Sequence, residues 1–372
     1  MKKLFLLFLC FPLFCAPLGA QTVRVLLAEN LKNAQIQNSG LVSIYALGSK
    51  KKFKVSKPET LSVQALGGGK LKLGALQSDG TLVIEPAKGV KLTFQKNSYT
   101  GKFYTVPSGK TFKLVEYTDM EDYLLGVLPY EMSPSWPLEA LKAQAVAART
   151  YTLMEIKNKK KKDFDLYSDV RSQMYKGSGK TYDSVRQAVS ATKGQILTYK
   201  GKPFYTYYHA NCGGGTDDAK SWTGSSAPTI KPLQGASCSY DSTSKSYSWS
   251  KTVPQKSINA FVNKNGLKGN VKKIAVGQKS PSKRAETLVF TTSSGKKELS
   301  CPKFRLSVGS SVLRSCKITD IDKAAGGFKF SGHGYGHGVG MCQDGAKGMA
   351  LDKKTYKQIL SNYFPSSKIT EQ

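Results

Sequence analysis

Acidic residues and histidines are scarce in this 372-residue chain, where 25 Asp and Glu face 56 Lys and Arg and only 3 His occur. The resulting charge of +31 at pH 7 rules out a surface that repels polyanions, and it calls for an anionic partner. Three histidines are too few for a His-rich metal tract. Past residue 20 no apolar run is long enough to cross a bilayer, which excludes a transmembrane helix in the mature chain. The lysines are scattered, and no helix-turn-helix, zinc-finger or RNA-recognition signature accompanies them, so no nucleic-acid partner is expected.

What is present begins with a leader. Lys2 and Lys3 precede the apolar run LFLLFLCFPLF, and Leu18-Gly19-Ala20 supplies the small-residue end of a secretory signal over residues 1–20. The mature chain is therefore expected outside the cytoplasm, in the periplasm or at the cell-envelope surface. Lipid attachment at Cys15 is the lesser alternative, because Phe14 is bulky where such cleavage sites take a small residue. Of the 7 cysteines, Cys10 and Cys15 leave with the leader. Exported cysteines commonly pair, which makes Cys301 with Cys316 and Cys212 with Cys238 plausible bridges and leaves Cys342 free.

Hydrophobic patterning predicts an α+β fold: an antiparallel β region over 21–115, then a larger domain over 116–366 with a buried Ala-rich helix and antiparallel sheets. In the first part VRVLLAE, LVSIYAL, TLSVQAL, KLKLGAL, TLVIE and FKLVEY alternate, and Gly68-Gly69, Asp79-Gly80 and Pro107-Ser108-Gly109 mark turns between strands. The organising stretch is Thr118 to Leu153. Thr118 and Glu121 are spaced as a capping box for a helix starting near Asp119, and Pro129 is expected to end it. Glu131 then falls on a rigid loop held open by Pro134 and Pro137. A second helix, Leu138 to about Met154, carries Ala140, Ala143, Ala145, Ala147 and Ala148, so a neighbour can approach closely and the helix should be buried. Lys142, Gln144 and Arg149 on it then need partners in the protein or in a ligand.

Further on, the lysine-rich run 157–162 reads as a solvated tip. A helix is expected from Thr181 to Lys193, closed by Gly194, and a hairpin around Gly201-Lys202-Pro203. Residues 224–330 read as β structure without helical period, and a last helix covers Lys353 to Phe364. All three histidines, His209, His333 and His337, fall in two Gly-dense blocks, YYHANCGGGT and GHGYGHGVGMCQDG. Such blocks let a ligand lie against bare backbone. The competing readings are a packed structural turn, and a metal site built from His209, Cys212 and Cys342. A dinucleotide loop is discarded, because neither the downstream acidic residue nor a βαβ context is there.

The segments EDYLLGVLPYEM, ALKAQAVAARTY, SQMYKG, YYHANCGGGT and GHGYGHGVGMCQDGAKGMA, in this order, resemble the SpoIID family (stage II sporulation protein D), which includes the LytB-type amidase enhancers. The resemblance implies a peptidoglycan lytic transglycosylase in which the Glu of the "EM" pair, Glu131 here, is the catalytic acid. It implies glycan contacts from Lys142, Gln144, Arg149, Ser172, Gln173, Tyr175, His209, His333, His337 and Gln343. Such an enzyme needs one carboxylate. The acid protonates the leaving oxygen between N-acetylmuramic acid and N-acetylglucosamine, and the muramic C6 hydroxyl closes a 1,6-anhydro ring. Peptide-stripped strands are the expected substrate, with no cofactor and no metal. The alternative is a non-catalytic glycan-binding enhancer of an N-acetylmuramoyl-L-alanine amidase. Family members often carry Ser where Cys212 and Cys342 stand, and some are reported to hold zinc; His333 and Asp344 also depart from the family pattern.

Overall fold

Apolar and polar residues alternate through the N-terminal third, and that alternation becomes sheet. In Asn33–Asn38 and Lys70–Leu73 every second residue is buried, the period of a half-buried strand. The computed structural model describes residues 21–158, 163–224 and 228–371. The leader, with Cys10 and Cys15, and most of the expected lysine tip, 159–162, lie outside the described residues. The strands between Thr22 and Asp119 form two sheets, one of seven strands that also takes in Leu166–Tyr167, and one of six. All their pairings are antiparallel except that of Val25 with Leu166.

Eight α-helices occur among the described residues: α1 (Met120–Glu131), α2 (Leu138–Asn158), α3 (Asp183–Ala191), α4 (Lys220–Thr223), α5 (Gln255–Lys264), α6 (Cys301–Val308), α7 (Gln343–Leu351) and α8 (Tyr356–Tyr363). One contiguous core gathers Val23, Phe103, Leu124, Ala147, Met341 and Phe364, so the N-terminal sheets share it with α1, α2, α3, α7 and α8. α2 lies at its centre, with Ala143 and Ala147 fully buried as the run of alanines predicts. It packs against α1, α3, α7, α8 and strand Gln195–Tyr199. The α+β class and the buried Ala-rich helix are both present.

Several boundaries differ from expectation. Asp119 caps α1, its Oδ1 accepting the Glu121 N–H at 2.8 Å, whereas Thr118 is buried in strand Thr111–Asp119. Thr118, paired with Val23 in the ladder, stands one residue too early, because α1 begins at Met120 and its N-cap is Asp119. Pro129 sits inside α1 rather than ending it. A proline this late forfeits one backbone bond, and the Met132 N–H to Leu128 O bond at 2.8 Å closes the turn beyond it. Glu131 is thus the last helical residue, not a loop residue. The expected C-terminal helix is α8 alone, begun by a capping box of Thr355 and Gln358. Residues 224–330 contain α5 and α6, contrary to the helix-free expectation, and build a second core around Trp249, Phe261, Phe290, Phe304 and Phe330. In α5 only Ile258, Phe261 and Val262 are buried, a stripe too short to stand out by period.

Candidate active site around Glu131

Glu131 closes α1 and meets the loop carrying SQMYKG, whose Met174 N–H donates to Oε1 at 2.8 Å. That loop comes close because α1 has Gly126 where a Cβ would lie 2.5 Å from the Tyr175 ring and 2.8 Å from Gly177 backbone. The Gln343 side chain, at the start of α7, hydrogen-bonds the same carboxyl group, and its Nε2 lies 3.4 Å from Gln144 Oε1 on α2. Behind them runs a buried chain. Tyr208 Oη donates to Gln173 Oε1 at 2.7 Å, and Gln173 Nε2 donates to Thr152 Oγ1 at 2.8 Å and to Tyr123 Oη at 3.2 Å. Burial raises the Glu131 carboxyl above the usual range, the Met174 and Gln343 bonds pull it back, and no cation contributes. Tyr123 and Tyr208, desolvated and within the field of Glu131, stay protonated far above their ordinary range. Beside this site, Tyr151, Tyr199, Tyr205 and Tyr207 line an open groove of about 860 Å³ with Pro228 and Ile230.

The two Gly-dense blocks do meet. Tyr208–His209 pairs in parallel with Met341–Cys342, and successive strand residues face opposite ways. Tyr208 turns toward Glu131, and His209 turns toward His337, their ring centroids 5.2 Å apart. His337 accepts the Val339 N–H at Nδ1 (3.2 Å) and donates from Nε2 to the Tyr208 carbonyl at 3.0 Å. Burial and the nearby Arg305 push it down to about 3, so it is neutral with both nitrogens engaged. His209 Nδ1 donates to the Val339 carbonyl at 3.1 Å, and burial holds that ring neutral as well. Both histidines fasten the blocks together instead of reaching Glu131. His333 lies elsewhere, on strand Gly327–His333, against Tyr247 and 3.2 Å from Ser248 Oγ.

Other expected glycan contacts are likewise held by the fold. Arg149 is buried, its Nε and Nη2 on Glu121 at 2.9 and 2.6 Å and its Nη1 on the Gln195 carbonyl at 3.0 Å. Lys142 pairs with Glu139 at 2.7 Å. The Tyr175 hydroxyl donates to buried Glu116 at 2.7 Å, and Ser172 Oγ accepts the Tyr167 N–H at 3.2 Å. Only Gln144, Gln173 and Gln343 gather around Glu131. Sequence reasoning missed Tyr123, Tyr151 and Tyr208 as their companions, although Tyr208 sits beside His209 in a singled-out block. Tyr130, the residue before Glu131, is 39 % exposed, with Lys176 over its ring.

The cysteines also differ from expectation. All five described cysteines are buried free thiols, and neither expected bridge is formed. Cys212, Cys238, Cys342 and Asp241 instead converge, their ligand atoms within 4.8 Å of one another. His209 is not in this group, because its ring faces His337.

In this α+β protein a carboxyl group at a helix end is thus surrounded by tyrosines and glutamines from five chain segments. Comparison with known sequences fixes the family. Residues 108–199 match the model described as Stage II sporulation protein (SpoIID), and residues 230–340 match a domain of unknown function (DUF8618). An uncharacterised protein of Brachyspira hyodysenteriae is 34 % identical over 312 residues, covering 78 % of this chain and 82 % of its own length. The amidase enhancer of Bacillus subtilis is 30 % identical over 290 residues, 66 % of this chain and 40 % of that protein. The stage II sporulation protein D of Bacillus amyloliquefaciens is 29 % identical over 306 residues, 77 % of this chain and 83 % of its own. The chain belongs to the SpoIID family. It spans about two fifths of the amidase enhancer. Among the described residues no helix is long and apolar enough to cross a membrane.

Proposed function

We propose that this protein cleaves peptidoglycan glycan strands outside the cytoplasm as a lytic transglycosylase, with Glu131 as the only acid and base. A family role in cell-wall remodelling supports the setting. The observation that carries the mechanism is the setting of Glu131: a half-buried carboxyl held by the Met174 N–H and Gln343, raised by burial and paired with no cation, which suits a proton donor. Protonated Glu131 gives its proton to the glycosidic oxygen as the bond to the muramic anomeric carbon breaks. The resulting carboxylate takes the proton from the muramic C6 hydroxyl as that oxygen closes the anhydro ring, which restores the acid without water. Gln343 and the Met174 N–H orient the carboxyl, and the tyrosine-lined groove offers ring faces for neighbouring sugars.

The test is to incubate purified mature protein with intact peptidoglycan and with amidase-stripped strands, and to analyse the products by mass spectrometry. Anhydro-muramic ends are expected, more from stripped strands. Sedimentation with glycan but no anhydro product would overturn catalysis in favour of the second reading, a glycan-binding enhancer of an amidase. That reading is favoured by the likeness to an amidase enhancer. Under it, the protein would accelerate release of stem peptides by an added N-acetylmuramoyl-L-alanine amidase, and would do so without Glu131.

A further inference from the structure

Three thiols and one carboxylate from three distant segments meet in the interior, away from any role assigned above. Cys212 follows the paired strand Tyr208–His209, Cys238 and Asp241 stand three apart in one loop, and Cys342 is the N-cap of α7. All four are buried, and their ligand atoms lie within 4.8 Å of one another. Asp241 Oδ2 is 3.0 Å from Cys212 Sγ and 3.9 Å from Cys342 Sγ. A tetrahedral zinc with sulfur at about 2.3 Å and oxygen at about 2.1 Å sets neighbouring ligand atoms roughly 3.6 Å apart, within that spread. We propose that Cys212, Cys238, Cys342 and Asp241 bind one structural zinc ion.

Two further observations point the same way. Asp241 Oδ1 is buried without a hydrogen-bond partner, and a buried carboxylate oxygen left so is costly unless a cation or proton donor meets it. The surroundings also supply the outer contacts of a metal–thiolate centre. Cys342 Sγ accepts the N–H groups of Cys212 at 3.2 Å and Gly345 at 3.3 Å, and Tyr363 Oη is 3.1 Å from Cys238 Sγ. Asp241 Oδ2 accepts from Gly213 at 2.7 Å and Gly214 at 3.1 Å. Those glycines have φ of +69° and +98°, which turns consecutive amides onto one oxygen. A thiolate-rich set selects zinc over calcium or magnesium, and four protein ligands close the shell, so the ion is structural. Binding releases the three thiol protons to solvent. The ion would tie the loop after His209 to the start of α7, where Gln343, the residue after Cys342, reaches Glu131.

The experiment uses the mature chain purified without chelator from zinc-replete cells. Elemental analysis should find one zinc per chain, released by a mercurial thiol reagent. Cobalt substitution should give a thiolate charge-transfer band and the intense visible bands of tetrahedral coordination. Cys238→Ser and Asp241→Ala should lower the metal content, and Asp241→Cys should keep it. Where a variant fails to fold, the wild-type stoichiometry and cobalt spectrum decide. The proposal is overturned if folded wild-type protein contains no zinc and, after reduction, takes up neither zinc nor cobalt, or if peptide mapping finds Cys212 and Cys238 joined in folded, metal-free protein. None of these readouts depends on glycan cleavage, so the site stands or falls apart from the proposed enzyme activity.

Discussion

Glu116 couples this fold to pH in a calculable way. It sits fully buried in strand Thr111–Asp119, and its carboxyl receives the Tyr175 hydroxyl at 2.7 Å and the Gly101 N–H at 3.0 Å. Burial outweighs both bonds and lifts it from 4.5 to about 7. For an acid raised on folding, the native state holds the proton more tightly than the unfolded chain. Its contribution is therefore fully present below the unfolded value and is lost as pH rises through the folded one. The gap between 4.5 and about 7 corresponds to about 3 kcal/mol. Denaturant unfolding of the wild type and Glu116→Gln across a range of about pH 4 to about pH 8 isolates this group from the other carboxyls. Relative to the variant, the wild type should lose about 3 kcal/mol on going up that range, with a steepest slope of about 1.4 kcal/mol per pH unit. Two curves running parallel within experimental error would refute the reasoning. The same titration reaches the site, because Tyr175 follows Met174, whose N–H holds Glu131.

Glu131→Gln keeps an oxygen for the Met174 N–H, so it should fold and bind glycan while anhydro-product formation drops at least about 100-fold; near wild-type turnover would remove Glu131 as the acid. Because burial raises the Glu131 carboxyl, the wild-type rate should fall with rising pH only above the ordinary carboxylic range, which a pH–rate profile checks. Arg149→Ala strands Glu121 and should cost about 3–5 kcal/mol of stability with no change in the glycan affinity of the folded fraction, measured by unfolding and by sedimentation with glycan. Ala147→Leu should overpack the centre of the core and cost on the order of 1–3 kcal/mol, seen as a lower melting temperature.

The elements that short-range patterning controls were legible in the sequence. Alternation specified the N-terminal strands, the alanine run specified a buried α2, and two positive-φ residues, Lys200 and Gly201, turn the hairpin where Gly201-Lys202-Pro203 signalled it. The quoted motifs pointed to Glu131 as a candidate, and the fold places Gln144, Gln173 and Gln343 near it. What stayed hidden depends on which side chains claim each other across the fold. Arg149 looks like a free cation in sequence, yet Glu121, 28 residues earlier, takes it. The Thr118–Glu121 spacing suggests a cap, yet α1 starts at Met120 and Asp119 takes that role. His209 and His337 stand in ligand-like loops, and only the parallel pairing of Tyr208–His209 with Met341–Cys342 turns them toward one another and leaves Tyr208 to face the acid. Cys238 was read as a disulfide partner of Cys212 and Asp241 carried no signal, because the group they form also draws on residue 342. Local periodicity is written in neighbouring residues, so the sequence determined the elements and the residue to suspect; the pairing of buried polar groups is a long-range choice among competing partners, and the tertiary structure alone made it.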